Sequence, residues 1–291
     1  FFNELVGYAR LDPRVVFLTN DFEVFSLKDF KKEFPDRYYN VGVAEQNLVN
    51  MSAGLAWAGK KPIIFGMCNF MTLRCFEQIK LQLCCMKKDV MIVGVGPGFS
   101  FNFDGPSHHA ISDIALMQTL PEMEVWNPGD VSVAAWLGRN QCKVSSGPSY
   151  IRIDKGEFPK LYSNDSNFKQ GYQVLRRGEP RQPIVFTTGS MVPVVKEVAD
   201  ELDLWVVDIY RVKPFPLDAL VQARAGQYVV SIEENAHGGL QSELHKYYSE
   251  DYTPFTLGDK HTFDFGSREH LLDGHGLNRG DVHRLLRRAC S

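Results

Sequence analysis

Very little in this chain is of the kind that marks a metal site, a nucleic-acid surface or a membrane span. Its cysteines (Cys68, Cys75, Cys84, Cys85, Cys142 and Cys290) contain no C-x-x-C pair. That spacing suits neither a zinc site nor a disulfide framework, and predicts free thiols in a reducing cytoplasm. No apolar run approaches the roughly 18 residues that span a bilayer, and no signal peptide is recognisable, so no membrane association is expected. The sequon Asn164-Asp165-Ser166 and the tripeptide Arg279-Gly280-Asp281 then read as chance matches. Basic residues are scattered over a net charge of -3. The one cluster, Arg284, Arg287 and Arg288, reads as the exposed face and last turn of a final helix. Nucleic-acid binding is therefore not expected. There is no phosphate loop of the G-x-x-x-x-G-K-[ST] type and no G-x-S-x-G elbow. Gly94-Val-Gly96-Pro-Gly98 does not fit a dinucleotide fingerprint, because Pro97 stands where the helix should open. His108 and His109 are adjacent with no third ligand in view, so no metal is assigned to this chain.

What is present is an alternation. Short β-branched runs at Val15 to Thr19, Tyr39 to Val43, Pro62 to Met67, Val90 to Val95, Glu124 to Trp126 and Tyr150 to Ile153 read as strands. Helical patterns at 44–58, 70–86, 111–119 and 130–140 lie between them. Near-continuous apolar strands joined by helices predict an α/β fold with a parallel sheet covered on both faces. A polar stretch rich in Gly, Pro, Ser and Asn interrupts the rhythm and reads as a linker. The alternation then resumes, with strands at Ile184 to Thr188, Leu204 to Ile209, Tyr228 to Ile232 and Pro254 to Leu257. Helices are expected at 191–202, 216–224, 238–248 and 280–289. Two α/β domains follow, 1–156 and 181–291, joined by 157–180.

In open α/β sheets, ligands bind beyond the carboxyl ends of the strands. Asp21 follows the first strand, and Asp104 to His109 lie in the loop after the fourth. Glu45 stands where the strand ending near Val43 meets an apolar helix. Each of these could equally be a helix cap. Glu45 is the most demanding, since a buried carboxylate needs a partner. Leu48 and Val49 at its helical neighbour positions supply none, so the partner is distant in the fold or is a ligand. Phe65, Phe70 and Phe76 fall at core spacing, which leaves Phe70 open to a packing role. Glu233 and Glu234 end a strand that is expected to face a subunit contact.

Asp36-Arg-Tyr-Tyr-Asn-Val-Gly-Val-Ala-Glu-Gln-Asn47 with Ser52-Ala-Gly-Leu-Ala56 resembles the pyrimidine-binding domain of the thiamine-diphosphate enzymes of the transketolase family. Asn69-Phe-Met-Thr-Leu-Arg-Cys-Phe-Glu-Gln-Ile79, Asp104-Gly-Pro-Ser-His-His109 and Tyr150-Ile-Arg-Ile-Asp-Lys155 continue the likeness. It extends through Thr188-Gly-Ser190, Val230-Ser-Ile-Glu-Glu-Asn235 and Gly238-Gly-Leu240, and so covers essentially the whole chain. The resemblance implies that Glu45 hydrogen-bonds N1′ of the aminopyrimidine, favouring the tautomer that removes the thiazolium C2 proton. It implies cofactor contacts from Phe70, Met67 and Arg74, catalytic positions for Asp104 and His108, and substrate contacts from Asp21, His108 and Lys155. The family's diphosphate and Mg²⁺ are held by a G-D-G motif in another domain, and no G-D-G occurs here. Gly129-Asp130 and Gly280-Asp281 read instead as helix starts. The resemblance therefore implies a separate diphosphate-binding subunit in an α2β2 assembly that carries most of the Mg²⁺ binding.

The implied reaction is transfer of a two-carbon ketol unit from a ketose or 2-oxoacid donor to an aldehyde acceptor. The β subunit of a 2-oxoacid dehydrogenase, an acyloin-forming synthase and a non-catalytic partner subunit are the alternatives. Asp104-Gly-Pro-Ser-His108 and Leu271-Leu-Asp-Gly-His-Gly-Leu277 favour the transketolase side. Two family positions differ: a His eight residues before Asp104 is Gly96, and a phosphate-contacting Arg is Lys155, a point charge rather than a fork. The segment Gly96 to Phe103 is also unusually aromatic for a sugar-phosphate funnel. These departures predict an unusual or non-phosphorylated acceptor.

Overall fold

The computed structural model describes residues 1–290 except 24, 145–146, 157, 164–165, 180 and 224–226, and the side chains of 26 and 141–144 also fall outside the description. Asn164 and Asp165 of the sequon, the thiol of Cys142 and the end of the helix expected at 216–224 lie outside the described residues. So do 157 and 180, the two ends of the expected linker.

Twelve strands form two sheets among the described residues. In chain order they are β1 (Val15–Thr19), β2 (Tyr38–Asn40), β3 (Lys61–Met67), β4 (Met91–Val95), β5 (Glu124–Trp126), β6 (Ser149–Ile153), β7 (Tyr172–Arg176), β8 (Ile184–Thr187), β9 (Trp205–Ile209), β10 (Arg211–Lys213), β11 (Val229–Ile232) and β12 (Tyr252–Phe255). The first sheet runs β10-β5-β6-β4-β3-β1-β2 and the second β12-β11-β8-β9-β7. All neighbours are parallel except the edge pairs β10 with β5 and β7 with β9. β1 and β4 are buried along their whole length, as strands covered on both faces must be. One face packs Leu5, Phe17, Phe65 and Trp136, and the other packs Leu48, Val49, Ile79 and Ile114.

Two short strands depart from the expected division. Tyr172–Arg176 lies within the stretch that reads as linker, yet forms β7. All five of its residues are only half-buried, so it carries no apolar run for a sequence reader to see. β10 follows directly after β9 of the second sheet but adds to the edge of the first. The two sheets are thus joined by a shared stretch of chain as well as by the connecting segment. The expected strand at Tyr39 to Val43 is shorter, ending at Asn40. Gly42 turns the chain with φ 73°, in the left-handed region that favours glycine, and so brings Glu45 to the first position of the Glu45–Trp57 helix.

The helix expected at 70–86 is broken into Cys68–Thr72, Phe76–Gln78 and a π-helical turn Ile79–Cys84. Cys75 leaves the helical region at φ -121°, ψ 24°. Sequence periodicity misses the interruption because Met71, Cys75, Ile79 and Leu83 remain buried at regular spacing through it. Five described cysteines are free thiols, as the spacing predicts. No helix among the described residues is long and apolar enough to cross a membrane.

Burial of charge shapes the join. Asp208 on β9 is fully buried, and accepts a 2.9 Å hydrogen bond from the Tyr162 hydroxyl. Burial, with the Asp130 carboxylate nearby, pushes its pKa up to about 8 against the opposing Tyr162 bond. The folded chain therefore keeps this proton where the unfolded chain, with a carboxyl pKa of about 3.9, has lost it. The folded state binds more protons between those two values, so this group lowers stability as pH rises from about 4 to about 8. We predict that Asp208→Asn removes that fall, measured as urea midpoints at about pH 5 and about pH 8; an unchanged pH slope contradicts it.

Candidate active site

β1 has β2 on one side and β3 on the other, so the chain changes direction across it. A crevice at the carboxyl ends of such strands is where ligands bind in open α/β sheets. Asn20 follows β1, Glu45 opens the helix after β2, and Arg74 comes from the broken helix after β3.

Glu45 is 2% exposed. Arg74 Nη1 donates to both of its carboxylate oxygens at 2.9 Å, and Asn20 Nδ2 donates to Oε1 at 2.8 Å. Of the two alternatives the sequence leaves open, the structure supplies a distant protein partner. Arg74 is 29 positions away, and the break at Leu73 to Cys75 places it there. The helix N-terminus adds favourable partial charge. Arg74 also lies 4.1 Å from the centroid of the Phe70 ring, a cation–π contact. Asn20 carries no motif that marks it in the sequence. Its signal is an amide closing an otherwise apolar strand, 5% exposed, with Oδ1 buried and unpartnered.

The half-buried Phe70 ring meets His108 edge-on at 5.1 Å. His108 Nδ1 lies 2.9 Å from Ser107 Oγ, and its ring is 6.0 Å from that of Phe101. Asn69 holds this loop in place by donating from Nδ2 to the carbonyls of Ser107 at 2.9 Å and His109 at 3.0 Å. His109 itself is buried against Phe99, and burial pushes its pKa down. Lys155, after β6, sets Nζ 4.0 Å from the Phe101 centroid. Glu45, Phe70, Arg74, His108, Phe101 and Lys155 thus form a chain of contacts along the strand ends.

Other expected residues sit at its margin. Asp104 is exposed in the same loop as His108. Asp21 is exposed and non-glycine at φ 67°, held by exchanging hydrogen bonds with Asn40 at 3.0 Å. Met67, at the end of β3, is half-buried and packs against the core beneath. Two readings need correction. Phe99 and Phe101 are buried, so only Phe103 of the aromatic segment presents a large exposed ring. Glu233 and Glu234 face inward: Glu233 receives the backbone N–H groups of Leu240 and Gln241, and Glu234 that of Phe99.

A buried carboxylate, an unpartnered amide oxygen and an aromatic face together suit a flat, nitrogen-bearing ring with N–H donors. Among the described residues no group of three or more His, Cys, Asp or Glu side chains could hold a metal ion. Asp130 caps its helix, accepting from Ser132 and Val133 N–H.

Residues 2–160 match the family model described as transketolase, pyrimidine binding domain, and 172–282 match that described as transketolase, C-terminal domain. An apulose-4-phosphate transketolase subunit of Actinobacillus succinogenes is 30% identical over 271 residues, covering 87% of this chain and 85% of that protein. A 6-deoxy-6-sulfo-D-fructose transketolase subunit of Clostridium sp. is 30% identical over 292 residues, covering 96% of this chain and 90% of that protein. A solved split gene transketolase, an inactive β4 tetramer, superposes with a TM-score of 0.86 at 31% identity, covering 99% of this chain and 96% of that one.

The Glu45 pair yields a stability prediction. Arg74 is 45% exposed, so water can partly replace it, and Asn20 remains. Arg74→Met should cost about 1–2 kcal/mol, below the usual cost of opening a fully buried pair. Denaturant titration of the folded chain measures this, and no loss would mean that the pair is not holding Glu45.

Proposed function

The chain belongs to the transketolase family, and we propose that it is the subunit of a split transketolase-like enzyme that carries the pyrimidine-binding and C-terminal domains. The single observation that carries the reading is Glu45, a carboxylate sealed from water beside an aromatic face at the ends of parallel strands. Thiamine diphosphate, when bound, supplies the nucleophilic carbon and electron sink for transfer of a two-carbon ketol unit. Glu45 would accept a hydrogen bond from the pyrimidine ring nitrogen in its N–H form, favouring the imino tautomer, and Phe70, Arg74 and Met67 would contact the ring. His108 and Asp104 would serve proton movements at the substrate, His108 on the imidazole side that does not face Ser107. Asp21 would line the entrance, and Lys155 would meet an anionic end of the ketose donor or aldehyde acceptor.

The diphosphate end of the cofactor and Mg²⁺ are assigned mainly to a partner subunit in an α2β2 assembly, since no G-D-G occurs in the chain. A β tetramer described as inactive, in the similar split gene transketolase, supports dependence on a second chain. Free thiols suit a reducing cytoplasm.

Two features bear on substrate. A Cβ at Gly96 would lie 2.0 Å from the Phe101 ring, so Phe101 fills the space where the family has a His. Lys155 offers a point charge that suits phosphate or sulfonate alike. The names of the two relatives carry one of each, a 4-phosphate and a 6-sulfo group. Both names are of ketoses, the donor side of the reaction; for the acceptor, the Gly96 and Lys155 departures alone lead us to favour one other than the usual pentose phosphate. In the reconstituted complex, Glu45→Ala should abolish C2 proton exchange of thiamine diphosphate, followed by NMR in deuterium oxide. Unchanged exchange would leave this chain a scaffold. Xylulose 5-phosphate with ribose 5-phosphate should turn over poorly in a coupled assay, and robust turnover would overturn the substrate reading.

A further inference from the structure

Arg268 belongs to the second domain, at the start of the short Arg268–Asp273 helix, yet its guanidinium reaches the first. Nη1 donates to Asp154 Oδ2 at 2.6 Å, while Nε and Nη2 donate to Glu234 at 3.1 and 2.6 Å. Both carboxylates are nearly sealed, at 7% and 2% side-chain exposure. Asp154 is the residue before Lys155. Its other oxygen accepts from Ser100 Oγ at 2.8 Å, and Glu234 accepts from the Phe99 N–H at 2.8 Å and Ser190 Oγ at 2.6 Å. Gly98 lies against the same carboxylate, where a Cβ would be 2.3 Å from Glu234 Oε1. The loop after β4 is therefore fastened at two successive residues, and the next residue is Phe101, whose ring lies under the Lys155 ammonium.

We infer that Arg268 is a positioning residue for the anionic end of the substrate. It aligns Lys155 from both sides, through the neighbouring Asp154 and through the loop that carries Phe101. The inference rests on the reading of Lys155 as an anion contact. The Arg fork matters because one guanidinium serves two carboxylates that would otherwise repel each other in a desolvated place. A lysine can neutralise but cannot bridge both in this geometry.

The test uses the complex with its partner chain, saturated with thiamine diphosphate and Mg²⁺ so that the diphosphate site is filled. Inorganic phosphate is the probe, and its binding is read by ³¹P NMR line broadening. Lys155→Met should weaken phosphate binding about tenfold, the size of one charge-assisted hydrogen bond. Arg268→Lys should weaken it about three- to tenfold while melting near the unmodified complex. An uncharged Arg268→Met, Asp154→Asn, Glu234→Gln variant leaves no unpaired buried charge and removes one net negative charge, which alone would favour phosphate, so weakening of a similar size there would report lost alignment. If Lys155→Met weakens binding but neither Arg268 variant does, the positioning role is overturned and the Lys155 reading stands. If the unmodified complex fails to bind phosphate, or Lys155→Met is without effect, the Lys155 reading falls and the inference falls with it.

Discussion

A carboxylate removed from water must be met by donors, and along the site edge of this molecule the donor is repeatedly an arginine from another element. Arg74 meets Glu45. Arg152 on β6 meets Asp113 through two hydrogen bonds of 2.8 and 2.9 Å, with both side chains buried and the Tyr150 hydroxyl adding a third bond. Arg268 meets Asp154 and Glu234. Opening a sealed pair by removing one partner typically costs about 3–5 kcal/mol. Such pairs fix geometry more than they add stability. Each one here ties a loop after one strand to an element elsewhere in the sequence, and together they hold the loops that carry His108, Phe101 and Lys155.

That constraint accounts for the irregular elements. Arg74 reaches Glu45 because the helix after β3 is interrupted around Cys75 and continues as a π turn, a form often found beside functional sites. An unbroken helix over 70–86 would be better hydrogen-bonded but would carry Arg74 elsewhere. Gly42 makes a similar exchange, ending the β2 pairing after the Val41 N–H bond to the Thr19 carbonyl to turn Glu45 into the crevice. Asp21 holds a left-handed backbone at the end of β1, stabilised by Asn40.

The parts legible in the sequence were those governed by local pattern. Buried parallel strands announce themselves as apolar runs, so β1, β3, β4, β8 and β9 were found close to their true limits. Glu45 was legible because a carboxylate amid Val43, Leu48 and Val49 breaks such a pattern. Its partner was not, since Arg74 is set by a helix break that leaves the spacing of Met71, Cys75, Ile79 and Leu83 intact. β7 and β10 are edge strands without apolar runs and leave no such mark in the sequence. The Gly96 to Phe103 aromatics read as funnel residues because sequence cannot tell which rings the loop tucks beneath Lys155 and behind Phe22.

The donor count at Glu45 says how a carboxylate already paired with arginine can still serve a ligand. An ionised carboxylate offers about four lone-pair positions, two on each oxygen. Oε1 receives both Asn20 and Arg74, whereas Oε2 receives Arg74 alone. One position on Oε2 is therefore left for a donor from outside the chain, with the unpartnered Asn20 Oδ1 as an acceptor nearby. Arg74 thus pairs the carboxylate within the single chain without exhausting its acceptor positions. The same arrangement holds this part of the strand-end crevice in shape within the single chain.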